Sequence, residues 1–200
     1  MSKKIIAVAA AIILAAIGIV GGTLAWFTDE KEVTNVLTTG NIEISLSETI
    51  TEFPVIMPGA LVEKDPTITN ISGNDQQAYI RASFQLFDDN DEALDDANII
   101  KAINDAILNP LDENGDPAGS SNWIKDTGTG WYYYTGELDV GAENAITFFE
   151  RIKFDGETFD NKYKDLTFKV KIFVQATQVA NQSVPAYTPA EFKKLGWPKD

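Results

Sequence analysis

The 200-residue chain contains neither cysteine nor histidine. The first absence excludes disulfides and thiolate zinc sites as sources of stability. The second removes the commonest general base, the base of a hydrolytic triad and the commonest metal ligand at once. Hydrolytic and zinc chemistry are therefore disfavoured, and no catalytic residue is assigned. Basic residues are also scarce: 16 Lys and Arg stand against 30 Asp and Glu, a formal net charge of −14. An acidic surface argues against DNA, RNA and anionic lipid as partners. No cofactor is implied, calcium excepted, because a hard cation takes carboxylate oxygens.

What is present begins with one long apolar run. Lys3 and Lys4 precede Ile5 to Val20, a stretch of Ile, Ala, Val and Leu broken only by Gly18. Gly21-Gly22-Thr23-Leu24-Ala25 then leads through Trp26 and Phe27 into the polar Thr28-Asp29-Glu30-Lys31-Glu32. A positive start, an apolar middle and a small-residue exit make a secretory signal, residues 1–25, cut between Ala25 and Trp26 by a signal peptidase. The alternative is an uncleaved anchor, since the 23 residues from Ile5 to Phe27 are enough to cross about 30 Å of hydrocarbon. In both cases the remaining 175 residues face outward, and the membrane is met only through the uncleaved signal. Loss of Lys3 and Lys4 with the signal leaves 14 basic against 30 acidic residues, a net charge of −16. A chain of this length suits one domain with a sizeable core.

Residues 26–40 form an N-terminal arm and first strand, residues 41–181 a domain, and residues 182–200 a tail. Within the domain, Asn41 to Ser47 alternates strictly, with Ile42, Ile44 and Leu46 on one face, as a half-buried strand does. Leu61 to Ile71 is a weaker strand interrupted by Pro66. Tyr79 to Leu86 alternates with Ile80, Ala82, Phe84 and Leu86 inward. Ile99, Ile100, Ile103, Ala106 and Ile107 then fall at helical spacing, which predicts an inserted helix at about 92–108, ended by Asn109-Pro110. Leu111 to Gly130 reads as a loop anchored by Trp123, and Trp131 to Thr135 as an aromatic strand. In Ile146 to Phe154 the parity of Ile146, Phe148, Ile152 and Phe154 would turn Glu150 inward, which predicts a bulge near Phe149. Thr167 to Thr177 alternates most cleanly, with Lys169, Lys171 and Gln175 outward. Six or seven strands and one helix predict a mainly β protein, an antiparallel two-sheet sandwich.

Three candidate sites, for calcium, for glycan and for assembly, fall on separate stretches. Asp88, Asp89 and Asp91, with Asp95 and Asp96 beyond, are candidate calcium ligands, although a solvated charge run explains them as well. Asp112-x-Asn114-x-Asp116 starts like a calcium loop but has Pro117 where glycine is required and Trp123 where the bidentate Glu belongs. Trp131-Tyr132-Tyr133-Tyr134, with Trp123, is a candidate glycan-stacking platform, against the plainer role of half-buried strand aromatics. The third stretch is the arm. Cleavage frees a strand-capable segment carrying Trp26, Phe27, Val33 and Val36, and an open sheet edge is satisfied by strand addition. Its aromatics suit pockets on a neighbour, or they pack on their own domain.

Gly21 to Asp29, followed by Asn35-Val36-Leu37-Thr38-Thr39-Gly40-Asn41-Ile42, resembles the export signal and first strand of the TasA/camelysin family. Met57-Pro58-Gly59, Ile68-Thr69-Asn70 and Phe173 to Gln178 resemble its proline-glycine turn, a strand ending in Asn and its last core strand. The resemblance covers most of 1–86 and 163–181, with no match between 87 and 135. It implies a jelly-roll-like sandwich processed by a SipW-type signal peptidase and secreted to the cell surface of a Gram-positive bacterium. It also implies a biofilm matrix fibre subunit or accessory that joins copies of itself, or related matrix subunits, through the arm. Camelysins carry a peptidase label, but the chain has no His-Glu-x-x-His. The expectation is thus an exported structural protein; the alternatives are a camelysin-type secreted peptidase and a cell-surface glycan-binding module.

Overall fold

A computed structural model describes residues 36–38, 42–48, 57–73, 75–160, 163 and 166–198, all within the compact unit Val33–Asp200. The signal, the Ala25–Trp26 cut, and the arm residues Phe27 and Val33 lie outside the described residues. Among the described residues no helix is long and apolar enough to cross a membrane.

The chain is mainly β and antiparallel, as a sandwich requires. Two ten-residue strands, β5 (Ala78–Phe87) and β11 (Lys169–Gln178), pair along their whole length, from Ala78 opposite Gln178 to Phe87 opposite Lys169. They are the two stretches whose alternation is cleanest in the sequence. Their larger sheet runs β1 (Val36–Thr38), β11, β5, β8 (Tyr132–Tyr134), β7 (Trp123–Lys125), with the short β6 (Ala93–Leu94) on the far end of β5. The facing layer holds β2 (Ile44–Ser47), β4 (Thr67–Asn70) and β9 (Ile146–Thr147), and the pair β3 (Leu61–Glu63) and β10 (Arg151–Lys153). Ile80, Ala82, Leu86, Ile172, Val174 and Ala176 meet Ile44, Val62, Ile68, Phe148, Ile152 and Phe154 in one buried cluster. Each Ile, Val, Leu or Phe among them, removed from water, stabilises the fold by about 1.5–3 kcal/mol.

The bulge expected near Phe149 does not form. The β4–β9 pairing sets Thr67 opposite Thr147, the β3–β10 pairing sets Glu63 opposite Arg151, and these share one register. The Lys64 N–H donates to the Glu150 carbonyl at 2.9 Å and the Phe148 N–H to the Pro66 carbonyl at 2.8 Å, so the ladder carries through in step. The β9–β10 segment kinks at Phe148 and Glu150, opposite Pro66, which has no N–H to give. Glu150 escapes burial at the kink and reaches Arg151 Nη1 at 3.0 Å.

Helix α1 (Ala97–Leu108) starts five residues later than its periodicity suggests. Asp96 caps it, its Oδ1 accepting from the N–H groups of Asn98 (2.9 Å) and Ile99 (3.1 Å), while Ala93 and Leu94 pair with β5 instead. Its Ile99, Ala102, Ile103, Ala106 and Ile107 join the main core. The stretch read as a loop contains β7, with Trp123 buried against Phe148 at 4.9 Å between ring centres. Asn70, fully buried, ties the layers together. Its amide donates to the carbonyls of Gln76 (2.8 Å) and Leu138 (3.0 Å), and its Oδ1 accepts from Ser72 Oγ (2.6 Å).

Gln175, expected outward, is 2% exposed, because the C-terminal tail folds back over that face of the large sheet. Helix α2 (Pro189–Phe192), capped by Thr188, buries Phe192 against Tyr79 and Tyr133. The Phe192 and Tyr133 rings stack 5.0 Å apart at 3°. The Arg81 guanidinium lies 4.3 Å from the Trp131 ring centre and 4.8 Å from that of Trp197, and its Nε donates to Gln175 Oε1 at 2.9 Å. Burial of Tyr79, with the Glu137 carboxylate beside it, raises its hydroxyl pKa to about 12. Asp126 holds the tail from the other side: its Oδ2 is 2.7 Å from Lys193 Nζ and accepts from Thr129 Oγ1 at 2.6 Å. Those two contacts, Lys193 first, bring its pKa down to about 2.

Candidate functional site

Of the carboxylates named as calcium candidates, Asp88 is engaged with its own turn and Asp91 with lysines of β11. Asp88 Oδ1 accepts from the N–H groups of Asn90 and Glu92, each at 2.9 Å, and the Glu92 bond is the first cause holding its pKa below the ordinary value. Asp91 sits at φ 60°, with Oδ1 3.0 Å from Lys169 Nζ and 3.8 Å from Lys171 Nζ. The Lys169 hydrogen bond lowers its pKa. Asp89 is exposed. Asp112 likewise closes its own loop, accepting from Asn114 and Asp116 N–H at 2.9 Å each. Among the described residues no group of three acidic side chains is placed to hold a metal ion.

The aromatic run is distributed between two cores. Trp123 and Tyr132 pack on Phe148, Tyr133 on Phe192, and one face of Trp131 is covered by Arg81. Trp123, Tyr132 and Tyr133 are buried, and Trp131 and Tyr134 are half-buried.

Two backbone features remain. The first is the edge of the large sheet. Val36–Thr38, the end of the arm, lies parallel to β11, with Val36 opposite Val174 and Thr38 opposite Ala176. All other strand pairs among the described residues are antiparallel. Val36–Thr38 is laid onto the edge by a segment that precedes β11 by more than 130 residues, as β5 and β11 also come together from distant parts of the chain.

The second is a gap inside that sheet. On the side of β5 away from β11, β8 pairs up to Ala82 and β6 takes over at Leu86. Among the described residues no strand meets Ser83, Phe84 and Gln85 there. Asp126 and Gly130 cause the break. Gly130, at φ +77°, donates its N–H to the Asp126 carbonyl at 2.9 Å and turns β8 away where it would have faced Phe84. A left-handed backbone is cheap only for glycine. The result is a cleft of about 310 Å³ lined by Phe84, Leu86, Leu94, Ile100 and Tyr132, with Lys125 and Asn104 together in its wall. Asn104 Oδ1 accepts from Lys125 Nζ at 2.8 Å and from the Tyr132 hydroxyl. Burial pushes the Tyr132 hydroxyl pKa up, and Asp105 adds to it. Sequence patterning did not pick out Lys125, Asn104 or Gly130. Each comes from a different element, and only the glycine after Thr127-Gly128-Thr129 hints at a strand being turned aside.

Residues 1–183 match the family model described as camelysin metallo-endopeptidase. No curated protein and no solved structure matches the chain. A catalytic zinc takes three protein ligands drawn from His, Cys and carboxylates. Without His or Cys only carboxylates are left, and they form no such group among the described residues. The residues present do not fit that metal.

Proposed function

The chain belongs to the camelysin family, and on that premise we propose that it is an exported structural protein rather than a peptidase. In this reading it leaves the cell through its N-terminal signal, loses residues 1–25 to a signal peptidase and works at the surface of a Gram-positive cell. There it acts as a biofilm matrix fibre subunit or accessory, assembled by donation of its arm to a neighbour's sheet. The single observation that supports this most is the parallel strand Val36–Thr38 at the edge of the large sheet. A three-residue strand held by backbone pairing, with no hairpin to keep it local, is exchangeable at small cost. Each hydrogen bond broken in one copy is remade in the next. Trp26 and Phe27, freed by the cut, supply the side chains that such an addition buries. The arm is tethered to the membrane until processing, which makes cleavage the step that permits assembly.

Protein beginning at Trp26 is expected to form fibres in a concentration-dependent way, seen by sedimentation and electron microscopy. Deletion of residues 26–36 is expected to abolish them. Processed protein that remains strictly monomeric at high concentration overturns the proposal. A chelator-sensitive protease activity surviving rigorous purification returns the peptidase reading.

A further inference from the structure

We propose that the gap between β6 and β8 is a binding site for the carboxylate end of a short apolar peptide. The backbone direction of β5 is fixed at its start, where Ala78 and Leu138 exchange both hydrogen bonds, at 3.0 and 2.8 Å. Alternation along an antiparallel strand then turns the N–H and C=O of Ile80, Ala82, Phe84 and Leu86 to that same side. Ala82 and Leu86 meet Tyr132 and Leu94. Phe84, between them, presents one donor and one acceptor to the cleft. One residue of extended peptide matches that pair by exchanging both bonds, as in strand addition.

The chemistry around Lys125 and Asn104 selects which peptide. The Asn104 carbonyl oxygen is already used twice, by Lys125 and Tyr132, so the cluster still offers donors: the Asn104 amide and the Lys125 ammonium. Lys125 Nζ lies 5.3 Å from the Tyr132 ring centre and has no carboxylate within ion-pair distance among the described residues, in a chain with 30 acidic ones. Such a group takes an anion with acceptor oxygens. Asp95 stands at the exposed rim, where it repels a second acid on the ligand and selects apolar side chains. Leu94, Ile100 and the Tyr132 ring supply the apolar wall. A cleft of about 310 Å³ is at the small end for ligand sites, and holds two or three residues. A gap of three residues in β5 is also too short for a through-running strand, so the arm of a second copy is not its occupant. The inference is independent of fibre assembly.

The test titrates the full chain with N-acetyl-Ala-Val-Leu, either as the free acid or as the C-terminal amide, followed by amide NMR. A third titration uses a carrier domain ending in the same three residues. The free acid is expected to shift the Phe84 and Lys125 amides, and the amide form to bind about tenfold to a hundredfold more weakly. Lys125→Met, which keeps the stem, is expected to remove that preference while leaving the fold intact by the same spectra. Binding of the carrier assigns the site to protein C-termini; binding of the tripeptide alone assigns it to small peptides. Equal binding of acid and amide, or no shift at Phe84 at millimolar peptide, overturns the proposal.

Discussion

The two ends of the chain treat the same sheet in opposite ways. The arm adds backbone to its edge, three residues long and parallel to β11. The tail covers its face with side chains, placing Phe192 on Tyr133 and Tyr79, and Trp197 beside Arg81. An edge reads hydrogen-bond direction and little else, so any copy of the same segment serves. A face reads shape, so only the tail that fits will do. The family match ends at residue 183, before Phe192 and Trp197, so the tail is where this chain completes its sheet beyond the matched region.

The comparison is broken most directly at Phe192. Phe192→Ala empties a fully buried ring site and is expected to cost about 3–5 kcal/mol, measured by denaturant unfolding, with cleavage of the released tail by added protease. Arg81→Met keeps the stem but removes the charge between two indoles and the hydrogen bonds it gives Gln175 Oε1, for a loss of about 2 kcal/mol in the same assay. Leu37→Pro removes one N–H from the edge strand and is expected to cost the monomer only about 1 kcal/mol, while fibre formation falls sharply. A loss as large as that of Phe192→Ala would mean the edge strand is no more exchangeable than the tail.

The smallest effect sharpens the comparison by pH. The Asp126 pKa is lowered from 3.8 to about 2 in the fold, so its contribution is complete above about pH 4 and is lost as pH falls toward 2. Tail release, followed by the fluorescence of Trp197, is expected to rise over that window. In Asp126→Asn the dependence is expected to flatten, with the tail somewhat looser throughout. The partners of this carboxylate are Gly128, Thr129 and Lys193, none of them in β1, which is expected to be unaffected.

The central strands were legible because alternation survives in any strand with one buried face, and both long strands kept strict period. The kinked ladder was not, because a kink at Phe148 and Glu150 that keeps its register looks in the sequence alone like an error of parity. β7 escaped notice because three residues carry no period. The tail was hidden for another reason. Its prolines and charges resemble a solvated end, and the Tyr79, Arg81 and Tyr133 that receive it are scattered over 55 residues. Of the site residues, Val36 falls in β1, Asp88 and Asp91 fall in their own turn, and the donors of the cleft have no local signature at all.

The in-step kink also ties the lengths of two distant segments. Because β3–β4 and β9–β10 keep one register through Lys64–Pro66 and Phe148–Glu150, adding a residue to either segment alone would shift everything beyond it by one place and swap inner for outer side chains. Natural variants of this chain should therefore gain or lose residues at these two places only in concert, a concerted length change visible in any aligned set of sequences before a single further structure is determined.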